Sequence, residues 1–283
     1  GPGPRLDLAK AYLALGDVMG YVRGPNLGDF DRAEEAYDRS AALLAELVEG
    51  DLPGDFEAGL LGARLLERRA TLLRARGDFP GAVARLEELD RDLVALAAAA
   101  TSELDRARAD LDRGQALYLR AGLVGSLGDH AGARDLARAA IALQEDLIAR
   151  APEGFDPVPP RFHLQQSWSF VAVASSQLGD DAAALEAFGQ VRAVLDVLVA
   201  ERPDDLVIRA SRAGALVQEM DALRRAGRLE RASELLDLGR VAYAELLEAD
   251  PSDARSRSSA AFLEAFGGDV LLARARAAGE QGD

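Results

Sequence analysis

The chain has 283 residues, a formal net charge of −15 and no cysteine. Hydrophobic residues make up 49 % of it and aromatic residues only 5 %, so we expect a core of Leu, Ala and Val packed between helices. A chain this acidic would repel a polyanion, which argues against nucleic acid as a partner.

The absence of cysteine, the first four residues and the longest apolar run indicate the cellular compartment and the origin of the chain. Without cysteine there is no disulfide framework, thiolate metal site or cysteine nucleophile. A reducing compartment fits this, so a cytoplasmic location is expected unless a parent protein carries a transmembrane anchor. Residues 1–4 (GPGP) are interpreted as a tag remnant, which makes residues 5–283 a fragment of a larger protein. The longest apolar run, residues 93–100, is far shorter than the roughly 20 residues that a membrane helix needs.

A turn signal recurs along the whole chain. Its glycines are separated by 49, 51, 51 and 48 residues, and alanine stands five residues after each of them. The glycine–alanine pairs are Gly28–Ala33, Gly77–Ala82, Gly128–Ala133, Gly179–Ala184 and Gly227–Ala232, and Gly268–Ala273 predicts a sixth, incomplete copy. Glycine allows the chain to leave one helix in a left-handed conformation, and the aspartate that usually follows it can cap the next helix.

This pattern resembles the tetratricopeptide (TPR) repeat, a hairpin of two helices. The period exceeds the 34 residues of a simple TPR, and Pro152, Pro203 and Pro251 each lie 24 residues after a turn glycine. We therefore predict long hairpins of about 20 residues per helix, forming an all-α, right-handed α-solenoid of five to six hairpins. The predicted helices are 5–16, 29–49, 55–76, 79–99, 103–127, 130–150, 160–178, 181–201, 205–226, 229–249, 253–266 and 269–279.

Two segments depart from the regular repeat. Residues 151–160 (APEGFDPVPP) read as a linker in which the last three prolines forbid a helix and where a single array over residues 5–283 can bend. Residues Val18–Asn26 interrupt only the first turn. This insert is interpreted as a structural plug, or alternatively as a contact loop that presents Met19, Tyr21 and Arg23 to an upstream domain.

The first hairpin also resembles a narrower group, the TPR regions of bacterial eukaryotic-like serine/threonine kinases. That resemblance implies a bacterial signalling protein whose kinase domain lies outside this chain, because no phosphate loop, HRD or DFG motif is present. The residues that carry it are Ala11, Tyr12, Leu15, Gly16, Asp17, Val18, Gly20, Asn26, Leu27, Gly28, Asp29, Ala33, Tyr37 and Ala41.

No catalytic constellation stands out. His130 replaces the aromatic or aliphatic residue of the turn, and His163 has no second metal ligand at helical spacing. Adjacent acids such as Glu34 and Glu35 point about 100° apart on a helix and do not form an acid–base pair by themselves. We predict no enzyme, no cofactor and no metal site.

Binding is the better-supported class of function. The TPR resemblance implies a concave groove lined by the first helix of each hairpin, where a protein or peptide, including an acidic one held by arginines, could bind as on a scaffold. Two alternatives remain, a ligand-sensing module that controls an attached kinase or effector, and a self-assembly domain. The predicted groove residues are Lys10, Arg64, Glu67, Thr71, Arg74, Gln115, Tyr118, Gln166, Ser169, Ser176, Gln177, Asp221, Arg224 and Arg225.

Overall fold

In the computed structural model, which describes residues 2–21, 26–47 and 55–280, every regular element is helical. These ranges contain eleven α-helices and no strand, which confirms the predicted all-α class. The helices are α1 (Pro2–Gly20), α2 (Phe30–Glu46), α3 (Phe56–Ala75), α4 (Phe79–Ala99), α5 (Glu103–Ser126), α6 (His130–Ala149), α7 (Val158–Gln177), α8 (Asp181–Glu201), α9 (Leu206–Arg225), α10 (Leu229–Ala249) and α11 (Ala254–Glu280).

The helices pack as consecutive hairpins within two compact units. The first unit comprises residues 1–160 and the second unit residues 161–283. In the first unit α1 packs on α2, α3 on α4 and α5 on α6, and the first helices also meet, α1 against α3 and α3 against α5. In the second unit α8 packs on α9, α9 on α10, and α11 on both α10 and α9.

The predicted turn is confirmed at five places. The five turn glycines have positive φ, between 70° and 93°. After α3, the amide of Asp78 donates to the carbonyl oxygen of Leu73 and the amide of Gly77 to that of Arg74, which is the Schellman pattern of a helix C-terminus. The side chain of the next residue then caps the following helix in four of the five turns. These caps are Asp29, Asp78, Asp129 and Asp180.

The fifth turn lacks that cap, which gives a direct stability prediction. Arg228 has nearly the same backbone angles as the four aspartates but makes no side-chain cap hydrogen bond. We expect Arg228→Asp to stabilise the second unit by about 1 kcal/mol, the usual gain from an N-cap. Urea unfolding followed by the fluorescence of Trp168, the only tryptophan of the chain, measures it. Arg228→Ala is the control and should change stability little, whereas equal gains from both variants would contradict the capping argument.

The alanine of each repeat allows the two helices of a hairpin to approach closely. Ala33, Ala82, Ala133, Ala184 and Ala232 are all at most 3 % exposed. In the first unit, Ala82 lies in a cluster with residues of α3, α4 and α5, and in the second unit Ala232 lies in a cluster with residues of α9, α10 and α11. The alanines that recur five residues after the turn glycines are therefore buried packing positions.

The prediction of a sixth hairpin was wrong. Gly267 and Gly268 lie inside one continuous helix, α11, and neither has a positive φ. Leu263, Gly267 and Val270 recur at helical spacing and bury one face of α11 against α10, where a Cβ on Gly267 would lie 2.5 Å from Cδ1 of Leu236. Gly267 therefore serves close packing, and neither glycine forms a turn.

Two other helix boundaries need correction. Helix α7 begins at Val158, so Pro159 and Pro160 lie in its first turn, where proline is tolerated because those amides have no intrahelical acceptor. The Val158 amide instead donates to Oδ1 of Asp156 at 2.9 Å. Helix α1 was predicted over 5–16 but runs from Pro2 to Gly20.

Candidate binding groove in the first unit

The insertion in the first hairpin leaves the hydrogen bonds of the turn in place. The amide of Leu27 donates to the carbonyl oxygen of Val18 at 3.0 Å, and that of Asp29 donates to Met19 at 2.9 Å. The equivalent bonds of the second hairpin span five fewer residues. The insert is therefore five residues long, not the nine of Val18–Asn26, because Val18, Met19 and Gly20 still belong to α1.

Tyr21, the residue that follows α1, lies against the next hairpin. The guanidinium of Arg68 stacks over its ring at 4.0 Å from the centroid, which is a cation–π contact. The Tyr21 hydroxyl donates to Oε1 of Glu67 at 3.3 Å. Asn26 holds the backbone there, because its Nδ2 donates to the carbonyl oxygen of Tyr21 at 3.0 Å. The insert thus places an aromatic side chain on α3.

Arg68 is the centre of a polar network that joins α1, α2 and α3. Its Nε donates to Oδ1 of Asp17 at 2.9 Å, and its Nη1 contacts the carboxylate of Glu67. Tyr37 donates to the same Asp17 oxygen at 2.9 Å, and Thr71 donates to Glu67 at 3.1 Å. Glu67 is only 4 % exposed, so these partners stabilise its charge in a site that water scarcely reaches.

The same network shifts two pKa values. Burial raises the pKa of Tyr37 well above its ordinary value, and the neighbouring carboxylate of Asp17 raises it further. Burial opposes the charge of Arg68, but Glu67, Tyr21 and Asp17 together raise the pKa of its guanidinium. Tyr37 therefore stays a neutral donor and Arg68 stays charged.

Two cavities lie beside this network, and we call them together the first-unit groove. The larger has a volume of about 260 Å³ and is bordered by Tyr21, by α3 and by Asp112 and Gln115 of α5. The smaller, of about 220 Å³, is bordered by Lys10 of α1 and by residues of α3. Arg64 lines both, so the two cavities adjoin at its side chain.

Arg64 and Asp112 form the ion pair where the cavities meet. Arg64 Nε lies 3.1 Å from Oδ2 of Asp112. Burial raises the pKa of Asp112, and Arg64 offsets only part of that shift. A partly buried carboxylate whose charge is incompletely compensated costs stability, which is a common property of binding sites.

The structure brings together some of the residues predicted for the groove. Arg64, Glu67 and Gln115 line the larger cavity together with Tyr21, which was predicted as part of the contact loop. Arg74 is exposed in the last turn of α3. Tyr118 is only 2 % exposed and lines neither cavity.

Of the other two contact-loop residues, Met19 packs against the core of the first hairpin. Arg23 lies outside the described residues.

The remaining predicted residues belong to the second unit. Asp221 accepts hydrogen bonds from both Arg224 and Arg225, at 2.8 and 2.7 Å. On α7, the Ser169 hydroxyl donates to the carbonyl oxygen of Gln165 at 3.0 Å. Gln166 is half-buried and Gln177 is exposed near the end of that helix.

Sequence reasoning missed Asp17, Arg68 and Asp112. Arg68 lies four residues after Arg64 and Asp112 three residues before Gln115, so helical spacing from the residues already chosen would have found both. Asp17 gave no such signal, because the first helix was predicted to end at residue 16.

The described residues contain neither a cluster of metal ligands nor a membrane-spanning helix. No group of three or more potential metal ligands is arranged to hold an ion in the part of the chain that the structure describes. None of the helices described combines the length and apolarity that crossing a membrane requires.

Comparison with known proteins supports the fold. No known protein family profile matches the chain, and no curated protein does. Two crystal structures of nearly identical TPR-like repeats from a kinesin light chain-like protein of Podosopora anserina, one of them a variant, are each 19 % identical to it. They match 87 % of this chain and 96 % and 97 % of their own, with TM-scores of 0.51 and 0.50. The fold is therefore an α-solenoid of TPR-like helical hairpins.

Proposed function

We propose that the chain is a non-catalytic interaction module that binds an extended segment of another protein in the first-unit groove. TPR-like folds commonly mediate contacts between proteins, which supports the class of function. The finer proposal, the groove as the site and a peptide as the occupant, depends on the geometry of the first unit.

The observation that carries the proposal is the pair of adjoining cavities along α1, α3 and α5. A small ligand would need one enclosed pocket. The two cavities, of about 260 and 220 Å³, instead meet at Arg64 and can each accept one of the successive side chains of an extended segment. Their walls combine apolar residues such as Leu13 and Ala63 with the polar groups of Lys10 and Gln115. This mixture is typical of surfaces that anchor a peptide.

The charge of the occupant follows from how the arginines are paired. Arg64 already contacts Asp112, and Arg224 and Arg225 already contact Asp221. An acidic segment would have to displace a carboxylate from each of these three arginines, so they provide no particular support for an acidic partner. We expect apolar side chains and hydrogen bonding to dominate binding.

The wider context is also a proposal. The resemblance of the first hairpin to kinase-linked TPR regions favours a scaffold or regulatory role in a larger bacterial signalling protein, in which the groove could control an attached kinase or effector. The full-length sequence of the parent gene tests this directly, because it either encodes such a domain or does not.

Filling the larger cavity should prevent binding. Gln115 lines that cavity on α5 and is only partly buried, so Gln115→Trp adds an indole where the peptide would lie. We expect peptides selected on the native chain from a random phage library to bind Gln115→Trp at least about tenfold more weakly, a loss of about 1.4 kcal/mol. Fluorescence anisotropy with the selected peptides measures it.

The matched control is Gln190→Trp, the same substitution at an exposed position of α8. It should leave the affinities unchanged. The proposal is wrong if selection yields no peptide, or if the selected peptides bind both variants equally well.

A further inference from the structure

Helix α11 has two faces that differ in what covers them. On one face Leu263 and Val270 are at most 1 % exposed and lie in a cluster with residues of α9 and α10. On the other face apolar side chains are open to solvent, with Phe262 61 %, Leu271 44 % and Leu272 51 % exposed. We call this second surface the bare face of α11, and its residues are Ala261, Phe262, Ala265, Gly268, Leu271, Leu272 and Ala275.

Comparison with α9 indicates what kind of element fits the bare face. In α9, Ala213, Met220 and Leu223 share a cluster with residues of α10, the second helix of the same hairpin. These residues lie 10, 17 and 20 positions after Pro203. The same positions after Pro251 hold Ala261, Gly268 and Leu271, all of which are exposed. The bare face is therefore the repeat's packing surface for an antiparallel helix.

The composition of α11 favours a second copy of the same helix as that element. The bare face follows spacings of three and four residues, Ala261, Ala265, Gly268, Leu272 and Ala275, which is the pattern of a two-helix seam. Small residues at four of these five positions permit a short distance between helix axes. In an antiparallel pair, Leu272 of one copy lies opposite Ala261 of the other, so that a large side chain meets a small one.

Charge also permits two copies to meet here. The chain as a whole carries −15, which would keep copies apart at most surfaces. Helix α11 itself has four arginines against three carboxylates, so it does not share that excess of negative charge. The bare face extends from Ala261 to Ala275, which corresponds to a seam of about 21 Å. The surface is also self-complementary, as a two-fold interface requires.

The geometry points to a homodimer formed by antiparallel pairing of the bare faces of α11, with the two-fold axis near Gly267. This inference is independent of the peptide proposed for the first-unit groove, because α11 belongs to the second unit.

Light scattering across a wide range of protein concentration tests it. The native chain should change from the mass of one copy to that of two as the concentration rises. Ala265→Glu places a carboxylate in the centre of the seam and should give the mass of one copy throughout. The matched control, Ala244→Glu, changes an exposed alanine of α10 and should dimerise like the native chain. A native chain that remains a monomer, or a dimer that tolerates Ala265→Glu, overturns the inference.

Disulfide cross-linking tests the relative orientation of the two α11 helices. Because the chain has no native cysteine, only the introduced cysteines can react. Copies carrying Ala261→Cys should form a covalent dimer when mixed with copies carrying Leu272→Cys, and neither should do so alone. Cross-linking of Ala261→Cys with itself would indicate parallel helices and overturn the antiparallel pairing. Both substitutions are at exposed positions, and circular dichroism checks that the helices are retained.

Discussion

Arg68→Met is expected to destabilise the first unit by about 3–5 kcal/mol, the cost of leaving a buried charge without its partner. The substitution keeps most of the side-chain volume but removes the cation that Asp17 and Glu67 share. Glu67 would keep its hydrogen bonds from Tyr21 and Thr71 and lose the charged contact with Arg68. Urea unfolding followed by circular dichroism measures the loss, while Trp168 fluorescence reports the second unit separately.

Two further variants identify the cause. Arg106→Met removes an arginine from an exposed pair with Glu103 and should cost at most about 0.5 kcal/mol. Adding Glu67→Gln to Arg68→Met removes the orphaned charge and should recover part of the loss. If the double variant is no more stable than Arg68→Met alone, the orphaned charge does not cause the loss.

Gly16→Ala is expected to destabilise the same unit by about 2–3 kcal/mol, the upper part of the range for overpacking a filled core. A Cβ at Gly16 would lie 2.3 Å from Cε1 of Tyr37, whose ring is only 1 % exposed and cannot move aside freely. Displacing that ring would also break the hydrogen bond from Tyr37 to Asp17. Thermal and urea unfolding measure the effect.

Gly62→Ala is the matched control, because it makes the same substitution inside a helix but should increase stability. A Cβ there meets no other atom within 4 Å, so the substitution should stabilise by about 0.5–1 kcal/mol through helix propensity alone. If both alanines stabilise, the close approach between α1 and α2 does not restrict Gly16.

The repeat was predictable because its residues act locally. Each residue of the pattern has one local role: glycine adopts a positive φ, aspartate caps the next helix, and alanine lies where the two helices approach closely. A hairpin could therefore be predicted from Gly77, Asp78 and Ala82 without knowledge of the neighbouring hairpins. The sixth copy was predicted wrongly for the same reason. Gly268 and Ala273 satisfied the local pattern, but the helix continues through both, with Leu263 and Val270 packed on α10.

The groove was less predictable because its pairs are distant in sequence. Arg64 and Asp112 are 48 residues apart, and Arg68 and Asp17 are 51 apart. Helical periodicity predicts which residues of α3 face the groove. It does not predict which carboxylate of another hairpin forms an ion pair with them. The arginines were therefore assigned to an acidic partner before their partners within the chain were visible.

The hydrogen bonds that cross the insertion in the first turn have a wider consequence. Leu27 and Asp29 close the hairpin on Val18 and Met19 as though the five extra residues were absent. The length of that segment is consequently uncoupled from the register of α1 and α2. Chains of other lengths could be grafted there beside Tyr21 and the groove, so recognition could diversify while the helical framework stays constant.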